Sequence, residues 1–502
     1  MNAPGTEAKD GFARKSFADL AALFAGRVGG LLLNLLFLPL YDHLLGPAAF
    51  GAVAMVLAFQ SFFLVFDFGL AILLGTDVAA AGQDRITRSR CAAQWRCMLA
   101  LALGAGLAAA VLLFMAGQFF ALDGFRPADL STTALLIAGA IAANAGQAAL
   151  IADHAARAAS SLQFAGALLR GLFAWLVLQF VAPGISGFLL SQLLVLAMHL
   201  LLLDRLLLRR LGPAASGFWR PAEIHRLWER ARPLIAYSLA GAMAMQIDKP
   251  LVAAFFSLEI AGRWFLAVTY ALTPIALLAG PLHQFFYPRL VQAAHDPEAA
   301  LGLGRLFQAA TVLAVTAPGL VLATEAPLLI RLWLPHAEDS RTIAAMAMPI
   351  VAATTVGAMG YLPTAWLVGT GDRAWIARLS WLLLLLLLTG LLLAGAEGSM
   401  PSFVAAYCAF HLLGCGLLWR RMLRNWPAAR SRSLLFDCWL LPAILLSAAL
   451  GLILWALQAM NLPDPARLFV LAAAGGGLTL PVAWRLWLRY GNGLRMAPLK
   501  TD

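Results

Sequence analysis

Residues 233–256 read PLIAYSLAGAMAMQIDKPLVAAFF, and residues 257–267 continue SLEIAGRWFLA. The first run is long and apolar enough to cross a bilayer, which takes about 20 helical residues. Its charges are the adjacent Asp248 and Lys249, set deep in the run. A short turn follows, and a second apolar run occupies 260–286. In hydrocarbon every backbone N–H and C=O needs an internal partner, and a helix supplies one for each. The stretch therefore reads as a pair of membrane helices.

The same signature recurs along the chain. About fourteen spans are expected, at 18–41, 48–75, 96–120, 131–152, 163–183, 187–208, 233–256, 260–286, 305–330, 343–368, 376–396, 400–419, 437–460 and 466–488. The second and eighth run long, which predicts tilt or an interfacial turn. Composition agrees: of 502 residues 62% are hydrophobic and 12% charged, with a mean hydropathy of +0.82. Soluble domains carry about 25% charged residues. An ordinary soluble enzyme, a disordered chain and a fibrous repeat are excluded, leaving an all-α polytopic membrane protein.

The net charge of +11 points to cytoplasmic loops rather than to nucleic acid. With the N-terminus inside, 28 of the 36 basic residues fall on the inner side and 5 on the outer. The positive-inside rule then gives N-in, C-in topology. Residues 1–17 are polar and basic, but the span after them is full length and lacks a small-residue cleavage site, so the first span is expected to be retained. The five cysteines form no C-x-x-C pair and read as reduced packing residues.

Six spans, a linker, six spans and two more suggest duplication. LYDHLLGPAAFGAVAM (40–55) and VAAFFSLEIAGRWFLA (252–267) are both span–turn–span units, alignable so that Gly51 falls on Gly262 and Ala49 on Ile260. The expected organisation is a cytoplasmic tail (1–17), an N-lobe (18–208), an amphipathic cytoplasmic linker (209–232) and a C-lobe (233–419). A basic loop (420–436), spans thirteen and fourteen (437–488) and a cytoplasmic tail (489–502) complete it.

The run from Arg27 through FLPLYDHLLGPAAFG (37–51) to FDFGL (66–70) resembles the start of bacterial Wzx-type oligosaccharide-lipid flippases. These belong to the multidrug/oligosaccharidyl-lipid/polysaccharide exporter superfamily. RPLIAYSLAGAMAMQIDKPLVAAFFSLEIAGRWFLA (232–267) resembles the start of their second lobe, and HQFFYPRL (283–290) the exit of their eighth span. Spans thirteen and fourteen occur in only some relatives, among them lipid II flippases, which the chain also resembles in carrying Arg27 in span one. The resemblance implies two six-helix lobes in a V around a central cationic lumen. It also implies transfer of undecaprenyl-diphosphate-linked oligosaccharide, an O-antigen or exopolysaccharide repeat unit, to the outer leaflet of the bacterial inner membrane by alternating access.

An anionic headgroup crossing hydrocarbon needs fixed cations, and arginine suits a diphosphate because its planar fork donates several hydrogen bonds. Three basic residues lie within spans: Arg27, Arg170 and Lys249. A lipid-facing Arg at mid-span costs about 3 kcal/mol or more, so Arg27 is expected to face the lumen, with an ion pair to an acid such as Asp67 as the structural alternative. Asp248 and Lys249 are neighbours on a helix, so each is expected to meet a different partner. Pro250 follows and can kink the span. Arg170 opens span five as delimited above, and either serves the lumen or snorkels to the inner interface. Asp67, Asp248 and Glu325 are the candidate coupling or structural acids.

Other classes fit less well. None of the four lysines sits in a G-x-x-x-x-G-K-[ST] loop, which a nucleotide-driven pump would need. The eight histidines show no metal spacing, and the expected outer loops are too short for a large catalytic surface, so no cofactor, metal or enzymatic step is expected. Multidrug export is disfavoured because organic cations call for acids in the lumen. A lipid II flippase is the closer rival, sharing fold and headgroup. A polysaccharide polymerase or chain-length regulator is a possible working partner, and nucleic acid is not.

Overall fold

The computed structural model describes residues 28–82, 84–120, 124–214, 225, 228–230, 239–293, 296–335, 339–426, 434–460 and 463–490. The regular elements among them are helical. They run α1 (Val28–Leu45), α2 (Pro47–Val65), α3 (Leu70–Ala81), α4 (Arg85–Phe119), α5 (Pro127–Ala152), α6 (Ala156–Phe180), α7 (Ile185–Leu211), α8 (Asp248–Phe255) and α9 (Leu258–Gln292). Then follow α10 (Pro297–Thr324), α11 (Ala326–Trp333), α12 (Ser340–Ala358), α13 (Tyr361–Gly369), α14 (Arg373–Ala396) and α15 (Met400–Asn425). A π-helical turn (Phe436–Leu440) leads into α16 (Leu441–Ala459), and α17 (Asp464–Tyr490) ends the described chain. Twelve stretches among the described residues are long and apolar enough to span a membrane. The two remaining sequence spans coincide with the helical segment that ends in α8 and with α17.

Local chemistry explains where helices start and stop. Proline opens α2, α5 and α10, where its missing N–H costs nothing. Asp84 caps α4 by accepting from the Ile86 and Thr87 amides at 3.4 and 3.0 Å, and these bonds with the Thr87 hydroxyl hold its carboxyl below the usual range. Asp296 caps α10, and Ser399 caps α15.

The second span carries the anticipated interruption. Helix α2 ends at Val65, Phe68 and Gly69 take φ of 57° and 73°, and α3 starts at Leu70. The eighth does not turn: α9 stays one helix of 35 residues despite Pro274, Pro281 and Pro288. The tenth is broken at Met359–Gly360, between α12 and α13.

The chain divides into two compact units, residues 1–262 and 263–502. In the first, Leu74, Trp95, Met98, Ala145, Leu150 and Leu203 belong to a core built from α3, α4, α5 and α7. In the second, Phe286, Phe307, Leu362, Trp366, Trp419 and Met422 anchor a core of α9, α10, α13 and α15.

Gly51 and Gly262, paired by the repeat alignment, pack against each other within the first unit. A Cβ on Gly51 would lie 1.8 Å from the Leu258 carbonyl oxygen, and one on Gly262 would lie 3.1 Å from the Gly51 Cα. Both obstacles are backbone, which has no rotamer with which to yield. Gly51→Ala is therefore expected to cost about 3 kcal/mol or more, the upper end of overpacking. The check is folded yield and thermal unfolding in detergent, with Gly46→Ala, where no atom lies within 4 Å of the new Cβ but φ is +74°, as the milder comparison.

Candidate functional site

Arg170 lies deeper than its sequence position suggested. Helix α6 begins at Ala156, so Arg170 stands about four turns inside it rather than at its opening. About 21 Å of helix separates Arg170 from the start of α6. Arg157, Ser160, Ser161 and Gln163 dilute the apolarity of the first two turns and hide the true start. Next to Arg170, Gly171 makes room for the Phe37 ring of α1, which a Cβ would strike at 2.0 Å.

Polar groups of neighbouring helices lie near Arg170. The Gln192 amide of α7 donates to the Arg170 carbonyl at 3.3 Å. Arg170 also acts electrostatically on buried Tyr41 of α1 and on His199 of α7. His199 meets the Gln147 amide at 3.3 Å through Nε2, and its buried Nδ1 has no partner among the described residues. A Cβ on Gly166 would lie 2.8 Å from that Nδ1. Among the described residues no carboxylate forms an ion pair with Arg170. The first unit thus holds a mid-span arginine, half-buried, amid hydroxyl, amide and imidazole groups.

Asp67 sits in the α2–α3 break and is buried, at 6% exposure. Its carboxylate accepts from the Gly69 and Ala71 amides at 2.9 and 3.1 Å, capping α3, and from the Asn144 amide of α5 at 3.0 Å. Two of the backbone donors freed by the interruption are thereby satisfied, as a broken span requires. Among the described basic residues none pairs with Asp67. Arg27, the alternative partner raised from sequence, lies outside the described residues.

Asp248 and Lys249 overturn the expectation that they point apart. The Lys249 ammonium donates to Asp248 Oδ1 at 3.0 Å and to the Met245 carbonyl at 2.9 Å. Both side chains are buried. The physical reason is local: the helix turns at Ile247, and the four-carbon stem of lysine curls back one residue to reach the carboxylate. In a site without water, a charge is retained only with its counter-charge close by.

Glu325 lies between α10 and α11 and is 2% exposed. It is ion-paired with Arg467 of α17. A second pair, Arg331 to Asp464 at 2.8 Å, repeats the link in the opposite polarity. Within the second unit α17 is thus fastened by charge near the α10–α11 junction, and Leu454, Leu457 and Leu471 of α16 and α17 pack with Leu320 and Val321 of α10.

Sequence reasoning missed four acids that tie helices together. Asp153 binds Arg88 at 2.8 Å and Arg210 at 2.5 Å. Asp204 takes Arg96 and the Trp95 indole, and Asp77 takes Arg230 and Gln94. In the second unit Asp372 accepts from Arg421 at 2.7 Å and Asn425 at 3.2 Å. Each partner is distant in sequence, so no local spacing announces it. The five cysteines are free thiols. Among the described residues no group of three His, Cys, Asp or Glu side chains is placed to hold a metal ion.

Comparison with solved structures shows the fold. A structure described as lipid II flippase MurJ in an inward closed conformation matches with a TM-score of 0.68 at 11% identity, over 94% of this chain and 99% of that one. An inward-facing multidrug resistance MATE family transporter of the MOP superfamily matches at 0.62 and 14% identity, over 83% and 98%. A MOP superfamily transporter from Pyrococcus furiosus matches at 0.54 and 13%, over 83% and 96%. Among curated proteins no sequence matches this chain. A family model described as polysaccharide biosynthesis protein covers residues 43–336, more than half of the sequence. With its membrane-spanning helices and its transporter-like fold, the chain belongs to the polysaccharide biosynthesis protein family.

Proposed function

We propose that the chain is a flippase, not an enzyme. It carries undecaprenyl-diphosphate-linked oligosaccharide, an O-antigen or exopolysaccharide repeat unit, from the inner to the outer leaflet of a bacterial inner membrane by alternating access, with both termini cytoplasmic. The observation that carries this reading is Arg170. A cation held in mid-span without a described carboxylate partner costs several kcal/mol in lipid and is retained where an anion or water meets it. A diphosphate is such an anion, and Arg27 is the expected second contributor. Lys249 joins the proposal as a cation whose present partner is Asp248. Asp67, Asp248 and Glu325 are assigned as coupling or structural acids, each now held by a cap or a counter-ion. The family match to polysaccharide biosynthesis supports a glycan cargo.

A second reading, transfer of lipid II, draws support from the MurJ fold match, which takes in 94% of this chain. Leaflet-resolved analysis of lipid-linked glycans in a deletion strain separates the two. Surface-polysaccharide precursor held in the inner leaflet, and released when the gene is restored, is the expected result. Retention of lipid II instead transfers the assignment to peptidoglycan. Unchanged distribution of both removes the flippase reading and leaves multidrug export to be assayed.

A further inference from the structure

In the second unit, three aromatic side chains with polar ends converge from two helices. His283 and Tyr287 stand one turn apart on α9, with rings stacked at 5.6 Å and 17°. Tyr361, the first residue of α13, brings its ring to 5.3 Å from His283. Behind them Phe286 stacks on Phe307 at 5.0 Å and 15°, both buried in the core. The three front rings are half-buried. Among the described residues neither their hydroxyls nor the imidazole nitrogens have a hydrogen-bond partner.

Tyr361 owes its position to the break in the tenth span. The Met359 carbonyl freed there accepts from the Trp419 indole at 2.9 Å, and Met359 Sδ takes the Gln308 amide at 3.3 Å. Gln308 is fully buried, yet its Oε1 has no partner among the described residues. Interrupted helices are tolerated at membrane depth where they border protein or a polar site. Unpaired polar groups facing lipid would each cost on the order of 2 kcal/mol or more, so the polar ends here must meet water or a ligand.

Ligand chemistry follows from the shape of the cluster. A polyprenyl chain has no use for hydroxyl and imidazole donors. A diphosphate calls for cations, and the nearby Arg289 already lies over the Phe285 ring at 3.9 Å and donates to its carbonyl at 2.6 Å. Flat rings offering an apolar face, edged by donors and acceptors, suit a sugar ring, which has an apolar face and a rim of hydroxyls. We propose that His283, Tyr287 and Tyr361 form a sugar-binding platform that holds the glycan of the lipid-linked cargo, an inference that rests on the flippase reading above.

The test uses the full chain in lipid nanodiscs with two probes. One is lipid-linked oligosaccharide extracted from the deletion strain, and the other is undecaprenyl diphosphate without sugar. His283→Leu and Tyr361→Leu are expected to weaken the glycosylated probe about tenfold or more and the sugar-free probe less than about twofold. Tyr361→Phe, which keeps the ring and loses the hydroxyl, falls between. Binding of the sugar-free probe also reports that each variant is folded. Unchanged affinity for the glycosylated probe, or equal weakening of both probes, overturns the platform and leaves the flippase standing. A wild-type protein that binds neither probe overturns both.

Discussion

Arg170→Ala is expected to lower transport of the lipid-linked glycan by roughly 10- to 100-fold. A hydrogen bond to a charged group contributes about 1.5–3 kcal/mol, and each 1.4 kcal/mol is about tenfold. Arg170→Met keeps an unbranched side chain of similar reach and removes the charge, so it is expected to fail to the same degree while unfolding at a similar temperature. Arg170→Lys keeps charge without the bidentate fork and should recover part of the rate. Assaying all three in proteoliposomes at matched protein density gives the comparison. Equal rates for wild type and Arg170→Met would remove Arg170 from the transfer step and leave it a structural role.

The second large effect concerns the buried pair of α8. Lys249→Met leaves Asp248 at 0% exposure without its ammonium. Breaking a buried pair from one side costs about 3–5 kcal/mol, whereas replacing both partners by apolar groups is often neutral. Lys249→Met alone should therefore sharply reduce folded protein, and Lys249→Met combined with Asp248→Leu should restore much of it. The readout is the thermal unfolding midpoint in detergent. If the double variant folds but does not transport, the pair matters for movement beyond stability. If the single variant is as stable as wild type, the pairing is not what holds α8 in place.

Much of the fold was legible in the chain because a bilayer imposes a length. Twenty apolar residues between polar flanks admit few alternatives, and the helix ends mostly fall within a few residues of the sequence reading. The exceptions have causes. The polar first turns of α6 concealed its start and so misplaced Arg170. Helix α4 reaches down to Arg85 because its cap, Asp84, lies well outside the hydrocarbon-length window. The break before Tyr361 follows an apolar run with no proline at the break itself, so hydropathy passes over it. The break at Asp67 was closer to the surface of the sequence, since FDFGL pairs a capping acid with a glycine that takes positive φ.

Partners were harder to read than positions. Asp67, Lys249 and Glu325 could be singled out because an ionisable residue inside a span is rare. What each one touches depends on packing: Asn144 is 77 residues from Asp67, and Arg467 is 142 from Glu325. Asp248 and Lys249 misled in the other direction, because helix geometry separates their Cβ atoms while lysine's stem is long enough to close the gap. Tyr41, His199 and His283 carried no motif, since an aromatic or a histidine in an apolar run reads first as packing.

Movement of cargo by the purified chain alone is the most direct test of flippase activity. Proteoliposomes loaded with lipid-linked oligosaccharide on both leaflets are probed from outside with a glycan-modifying reagent that does not cross the bilayer. The protected inner pool is expected to become accessible with wild-type protein and to remain protected with Arg170→Met. Protection that persists with wild-type protein, in vesicles where the protein is folded, would contradict flippase activity.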